Sequence, residues 1–405
     1  MNAAKRLLLV TGTYSPYINA NTNCVGKIVP ALQQAGFSVS VLTLAYEKGL
    51  PEVEEKDGCT IYRAAVPEIA VIDRALYQNP RLNAGVLRIA RGVIGKTAYA
   101  YTDFLKKRRI RKVFARTGGN FSRILSVINP VDAHDFACQC KTGKEKWILY
   151  YLDSYVFNEA LTGSPKRRMA RERRWARKAD GVIHSAGMRE ENARHGYDPF
   201  GTLPQIDVPL PNFEIRESDF VGNVRQDGAD KIVMRYTGMF YSNIRRPDEL
   251  LRFLDTLDPD RYTVEFYGPC CDYIRMHFQK MPLCLHLMGT VSTQQCRDLT
   301  AAADVLLNVG NTTANQVPSK VFEYIASGKP ILNFYTNEHE PGLAYLRRYP
   351  CALNVRTADE VTQHDLDALL QTSGTITPQT LREIYADCLR ENVVQRMVDF
   401  IESVE

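Results

Sequence analysis

Two charged side chains three residues apart raise the first chemical question in this 405-residue chain. Lys320 and Glu323 lie within Gln316-Val317-Pro318-Ser319-Lys320-Val321-Phe322-Glu323-Tyr324-Ile325-Ala326-Ser327-Gly328-Lys329-Pro330, between strand-like runs at 305–309 and 331–335. The segment reads as a short helix: Pro318 suits its first turn, Gly328 its C-terminal end and Pro330 the stop. Free backbone N–H groups and a partial positive charge gather at such an N-terminus, where a lysine is unfavourable by about 0.3–1 kcal/mol. A bound anion would account for Lys320. Glu323, one turn below, can accept hydrogen bonds from two sugar hydroxyls. Together the two describe a clamp for a ribose diphosphate; a solvated Lys–Glu pair on a surface helix is the structural alternative.

The elements that must position such a clamp follow from alternation along the chain. Short β-rich runs at 6–11, 38–44, 60–66, 122–128, 147–152 and 181–184 alternate with helical patterns, as in a parallel sheet with crossover helices. Prolines accumulate at 204–211, and 216–230 is polar with Gly222-Asn223 and Asp227-Gly228 as breakers. A second alternating series occupies 232–236, 262–267, 285–288, 304–309 and 331–335. We therefore expect a first α/β domain over 1–215, a linker over 216–230, a second α/β domain over 231–378 and a final helical segment over 379–405. Ligands of open α/β sheets bind beyond the C-terminal ends of the strands. Attention thus falls on the loops there: Thr11 to Asn23, Asn129 to Asp135, Leu152 to Tyr155, Thr237 to Leu251 and Gly289 to Ser292. The first of these has Gly12 and then no glycine before Gly26, which disfavours a dinucleotide-binding G-x-G-x-x-G.

The 316–330 segment resembles the P-S-K-x-x-E-Y-x-A-x-G-K-P-I signature of retaining GT-B glycosyltransferases, especially glycosyltransferase family 4. That resemblance implies two Rossmann-like domains with parallel sheets facing a central cleft, the donor bound mainly by the second and the acceptor by the first. It implies that Gln316, Val317, Pro318, Ser319 and Glu323 bind the nucleotide-diphospho-sugar donor, with Lys320 on its phosphates. Asn315 stands where many members carry a first glutamate, beside the donor sugar. Gly238, with Arg245 or Arg246, is similar to the family's phosphate-gripping loop; Arg245 is the favoured cation for catalysis. Gly289-Thr290-Val291-Ser292 is similar to its base-binding loop, which brings in Val291. Tyr14, Asn21 and Asn23 match the acceptor-side loop, and His134 is a further acceptor-side candidate, with a core position as its alternative. Asp153 matches the His or Asp that points at the reacting sugar; a buried Asp capping the next helix would explain it equally well. The last segment, 379–405, is expected to cross back to the first domain.

The implied activity is metal-independent, retaining transfer from a nucleotide-diphospho-sugar to a saccharide or lipid-linked saccharide, in polysaccharide or glycolipid assembly, with no cofactor. A sugar-nucleotide epimerase of the same double-Rossmann build, or a non-catalytic sugar-nucleotide-binding subunit, are the alternatives; Asn315 is the best argument for the latter. Asp258-Pro259-Asp260 satisfies a metal-binding D-x-D pattern but has turn composition, and the ten cysteines lack zinc spacing. No leader or membrane-spanning run is expected; a reducing, cytoplasmic location with mostly buried thiols is. Charge is uneven: residues 1–205 hold 32 Lys+Arg against 18 Asp+Glu, or +14, leaving 19 against 28, or −9, of the chain's 51 and 46. Basic runs at 106–112 and 166–178, with Arg88, Arg91 and Lys96, make an anionic membrane surface a candidate partner, although a solvated helix face explains them as well. Sparse interleaved aromatics argue against nucleic acid.

Overall fold

A computed structural model describes residues 5–17, 19–77, 85–128, 132–158, 161, 164–220, 231–314 and 316–405, with backbone only at 20, 74, 76–77, 85–93 and 96. The chain divides into two compact units, one formed by residues 1–208 and 394–405, the other by 209–393. The break thus falls at Val208/Pro209, before the expected linker. Of that linker, Glu217–Phe220 is a 3-10 turn and 221–230 lie outside the described residues.

The first unit is an eight-stranded, mostly parallel sheet. Its strands are β1 (Lys5–Val10), β2 (Phe37–Ala45), β3 (Val53–Lys56), β4 (Cys59–Ala65), β5 (Arg123–Ile128), β6 (Lys146–Tyr151), β7 (Gly181–Ser185) and β8 (Gln205–Val208), in the order β3-β4-β2-β1-β5-β6-β7-β8. Only the β3–β4 hairpin is antiparallel. The inner strands are continuous apolar runs because helices cover both faces, as in β1, where Leu7 to Val10 are at most 1% exposed. Those helices are α1 (Ala20–Gln34), α2 (Pro67–Tyr77), α3 (Gly85–Phe114), α4 (Asp132–Cys140), α5 (Pro165–Ala176) and α6 (Met188–Arg194).

The second unit is a six-stranded parallel sheet. Its strands are β9 (Ile232–Thr237), β10 (Tyr262–Tyr267), β11 (Leu285–Gly289), β12 (Val305–Val309), β13 (Ile331–Phe334) and β14 (Ala352–Val355), in the order β11-β10-β9-β12-β13-β14. In-register side chains reinforce one edge, where Asn308 donates to Asn333 at 2.7 Å and Asn333 to Asn354 at 2.9 Å. Around the sheet lie α7 (Asp248–Asp255), α8 (Cys270–His277), α9 (Thr293–Ala301), α10 (Ser319–Ala326), α11 (Pro341–Leu346), α12 (Gln363–Gln371) and α13 (Pro378–Ile384); α14 (Arg390–Ser403) follows. The expected single helix over the C-terminus is therefore two. From Val394 onward the chain belongs to the first unit, where Arg123 bonds the carbonyl of Ile401 and Lys5 pairs with Glu402.

Several cations of the first unit are held by its own carboxylates. The Asp135 carboxylate, 2% exposed, accepts from Arg171, Arg174 and the Trp175 indole, each at 2.7 Å, with Lys107 at 3.2 Å. Burial alone would raise its pKa, but Arg171, Trp175 and Lys107 hold it well below the usual carboxylate range. Lys106 is tied to Asp132 at 2.8 Å. Removing a buried hub costs far more than removing an exposed spoke. Asp135→Ala should therefore lower unfolding stability by about 3 kcal/mol at neutral pH, whereas Arg174→Ala should cost under about 1 kcal/mol. Because the Asp135 pKa is depressed, its contribution is present above the ordinary carboxylate pKa and fades as the pH falls below it. Urea titrations at pH 7 and pH 3 check this; equal losses for the two variants at pH 7 would refute the hub.

Candidate functional site

In the second unit the loops beyond β9, β12 and β13 converge on α10. The amide of Thr237, the last residue of β9, donates to the Tyr324 hydroxyl at 2.8 Å, and that hydroxyl lies 3.0 Å from Thr237 Oγ1. This contact pins α10 to the end of the sheet. Pro318 is the N-cap of α10 rather than part of its first turn, and Gly328 follows the Ser327 C-cap at φ +71°, a left-handed position. Val321, Phe322 and Ile325 face the core, which leaves Lys320 and Glu323 outward. Their charges meet at 2.6 Å, and the Lys320 ammonium also lies 3.3 Å from Cys296 Sγ. Burial alone would depress the lysine, but Glu323 outweighs it and holds its pKa above the ordinary value.

Arg245 and Arg246 separate by geometry. Arg246 is exposed and grips Asp248 with two hydrogen bonds, at 2.9 and 3.0 Å. Arg245 instead reaches the loop after β12 and donates to Asn311 Oδ1 through Nε at 3.0 Å and Nη2 at 2.8 Å. Asn311 in turn donates to the carbonyl of Gln316 at 3.1 Å, which links the arginine to the strand-like entry of α10. The same two loops are tied by Thr312, whose N–H bonds the carbonyl of Ile244 at 2.7 Å. Gly238 has φ +154°, and a Cβ on Gly268 would lie 2.7 Å from the Gly238 carbonyl, so the loops after β9 and β10 close on each other through bare backbone. Val291 is half-buried, next to the Ser292 N-cap of α9. Gln316, Val317 and Ser319 are half-buried on the approach to α10. Asn315 lies outside the described residues.

Glu340, to which sequence reasoning gave no role, caps α11 in the neighbouring loop. It is 2% exposed; Oε2 accepts from the Leu343 N–H at 2.7 Å, and Oε1 has no hydrogen-bond partner. Burial pushes its carboxyl up to about 7, against the opposing backbone N–H groups and Arg245. Its only sequence signal is a helix start at Glu340-Pro341. Asn311 offered none beyond following a strand-ending glycine.

The candidates in the first unit fare unevenly. Asp153 follows β6, is half-buried and makes no hydrogen bond among the described residues, so it does not cap α5, whose N-cap is Ser164. Burial pushes its carboxyl up to about 6. His134 is corrected: it is 0% exposed, packed on Trp147, Tyr151 and Trp175, with Nδ1 2.7 Å from Ser126 Oγ. Burial lowers its pKa to about 3, so it is a neutral core residue and meets no acceptor. Asn21 and Asn23 sit in the first turn of α1 rather than in the loop, because Asn19 caps that helix with bonds to the N–H groups of Asn21 and Thr22. Tyr14 remains in the loop, half-buried, and burial raises its phenol to about 12. Asp258-Pro259-Asp260 is a turn, closed by Asp258 Oδ1 accepting the Asp260 N–H at 2.9 Å. No group of three metal-ligating side chains occurs among the described residues.

No family profile matches the sequence. A comparison with curated proteins finds no match either. The fold, however, is shared with solved glycosyltransferases of the GT-B type. It is similar to the sucrose-phosphate synthase from Thermosynechococcus elongatus (14% identity, TM-score 0.66, covering 98% of each chain). It is likewise similar to the α,α-trehalose 6-phosphate synthase from Burkholderia multivorans (12%, TM-score 0.59, 99% of each chain). A third is the lipopolysaccharide outer core galactosyltransferase WaaB (10%, TM-score 0.57, 98% of this chain and 99% of that one). The chain is thus an α/β protein of GT-B architecture, with two Rossmann-like domains.

Glu340 yields a pH test. A carboxyl raised from 4.5 to about 7 in the folded state costs nothing below pH 4.5 and costs progressively more up to pH 7, about 3 kcal/mol in all. Glu340→Gln should therefore gain on the parent by about that amount between pH 4.5 and pH 8. Thermal unfolding of both proteins at the two pH values measures it; a gap independent of pH would show that Glu340 does not titrate as a buried acid.

Proposed function

We propose that the chain is a retaining, metal-independent glycosyltransferase that moves a sugar from a nucleotide-diphospho-sugar to a saccharide or lipid-linked saccharide. The observation that carries this reading is that Arg245, tied through Asn311 to Gln316 at the entry of α10, and the Lys320–Glu323 pair in the first turns of α10 stand at one end of the second parallel sheet. The GT-B likeness supports it, since several of the similar structures are synthases or transferases of sugars.

Transfer of this kind builds negative charge on the departing diphosphate. Arg245, Lys320 and the free N–H groups of α10 supply preorganised positive charge for it, the role that a metal fills elsewhere. Glu323 takes the ribose hydroxyls, and its pairing with Lys320 keeps the ammonium aimed outward until a donor arrives. Gly238 lets backbone approach the phosphates, and Val291 lies beside the nucleobase. Asp153 is the carboxylate assigned to the reacting sugar, and Tyr14 belongs to the acceptor side. Arg246, at the same loop but paired with Asp248, is the second cation assigned to the donor phosphates.

The tests separate these tasks. Lys320→Ala should cut the transfer rate on the order of 10²–10³-fold, as when an oxyanion donor is lost. Glu323→Gln should chiefly weaken nucleoside-diphosphate binding, visible without any sugar. The Lys320–Glu323 pair has side chains 29% and 49% exposed, so losing it should cost under about 1 kcal/mol and leave the fold intact. Activity should persist in EDTA. Free nucleoside diphosphate as product marks transfer, a new nucleotide-sugar without acceptor marks epimerisation, and binding with no product marks a carrier subunit. Parent-like binding and turnover in both variants would overturn the donor-site assignment.

A further inference from the structure

The run Lys106 to Lys112 splits into two sets of cations. Lys106 pairs with Asp132 at 2.8 Å, Lys107 with Asp103 at 2.6 Å, and Arg109 with Glu68 at 2.6 Å. Arg108, Arg111 and Lys112 are exposed and make no hydrogen bond or ion pair among the described residues. At about 100° per residue, these three share a face of α3 with Ile94, Tyr101 and Phe104. Those apolar residues are 54%, 53% and 60% exposed. The stripe from Ile94 to Lys112 is roughly 27 Å long, apolar in its first half and cationic in its second. A hollow of about 520 Å³ beside it is lined by Phe104, Lys107, Arg108, Arg111, Lys112 and Gln139, with Asp103 the one carboxylate in its wall. A second, of about 610 Å³ with Glu52 in its wall, shares Arg108 and Lys112 and adds Arg63 and Arg109.

We infer that this stripe of α3 docks on an anionic lipid bilayer. Three unspent cations beside hollows of phosphate-accommodating size match acidic headgroups, and the ring edges of Tyr101 and Phe104 with Ile94 match the interfacial layer beneath them. Charge complementarity alone would suit a nucleic acid as well, but exposed Ile94 and Phe104 on the same face would then stay in water. No helix among the described residues is long and apolar enough to cross a membrane, so the contact is peripheral. Arg88, Arg91 and Lys96 lie on helix for which only backbone is described and are not part of the stripe.

The test is sedimentation of the full chain with vesicles of phosphatidylcholine alone and of equal phosphatidylcholine and phosphatidylglycerol. The parent should bind only the anionic vesicles, with binding that falls steeply as salt rises. The Arg108→Ala, Arg111→Ala, Lys112→Ala triple variant should bind them on the order of 100-fold more weakly, at about 1 kcal/mol per cation. Tyr101→Ser with Phe104→Ser should weaken binding but keep the salt dependence, while Arg252→Ala, an exposed cation of the other unit, should bind like the parent. All these sites are exposed, so the thermal midpoint should hold. Absence of binding, equal binding to neutral vesicles, or parent-like binding by the triple variant would overturn the inference. So would displacement by inorganic phosphate at matched ionic strength, or preferential capture of a single-stranded oligonucleotide by the same residues.

Discussion

The hydroxyl of Tyr324 fills a position that the second sheet itself leaves open. β12 pairs with β9 only at Met234 and Arg235, so the two strands part before β9 ends, and the buried N–H of Thr237 has no strand partner on that side. An unpaired buried amide costs about as much as a lost hydrogen bond, on the order of 1–3 kcal/mol. Tyr324 meets it at 2.8 Å from within α10. Because the helix is held there, one turn before Tyr324 its outward face carries Lys320 beside the loops that hold Arg245 and Asn311. The candidate site therefore depends on a contact that is itself buried and takes no part in chemistry.

Ionised groups are handled in two opposite ways. Asp135 is surrounded by donors and cations until its charge is fully met, and it behaves as part of the scaffold. Asp153 and Glu340 are carboxyls on strand-end loops whose burial is not matched by enough partners, and both are pushed upward in pKa. Groups left in that condition concentrate where a fold reserves room for chemistry, because burial without compensation disfavours folding and persists where something else requires it. Glu340 adds a mechanical role, since a Cβ on Gly342 would lie 2.7 Å from its Oε1 and 3.1 Å from Pro318 Cδ. The α11 cap and the entry to α10 are thus packed as one piece.

The inner strands of both sheets were legible because a parallel strand covered on both faces is a plain apolar run, whose ends are marked by glycine or proline. The three strands without such a run, β3, β8 and β14, all lie at sheet edges. Val53–Lys56 is polar and mostly exposed, although the Asp57-Gly58 turn that closes its hairpin, at φ 53° and 72°, was the stronger signal. Ala352–Val355 is held partly by the Asn308–Asn333–Asn354 side-chain ladder, whose members are far apart in sequence. The Lys320–Glu323 face was readable from one helical turn. The different settings of Arg245 and Arg246 were not legible, because that of Arg245 rests on Asn311, a residue 66 positions away. The misplacement of His134 and of Asn21 and Asn23 has a common source: a polar residue near a strand end looks alike whether it lines a site, caps a helix or closes a core.

Charge counting shows the same limit from another side. A surplus of +14 in residues 1–205 reads as one basic field, yet its members are not interchangeable once folded. Arg63 is 1% exposed, bound to Glu54 at 2.5 Å and to the carbonyls of Ser15 and Pro51, and Arg171 and Arg174 are consumed by Asp135. A buried cation whose donors are met on several sides by protein acceptors, as in Arg63, must lose those partners before it can take another, so it adds to net charge and little to recognition. The charge that can meet a partner is what remains after internal pairing. Among the described side chains of the Lys106–Lys112 run, that remainder shares one helical face, and the same face carries exposed Tyr101 and Phe104.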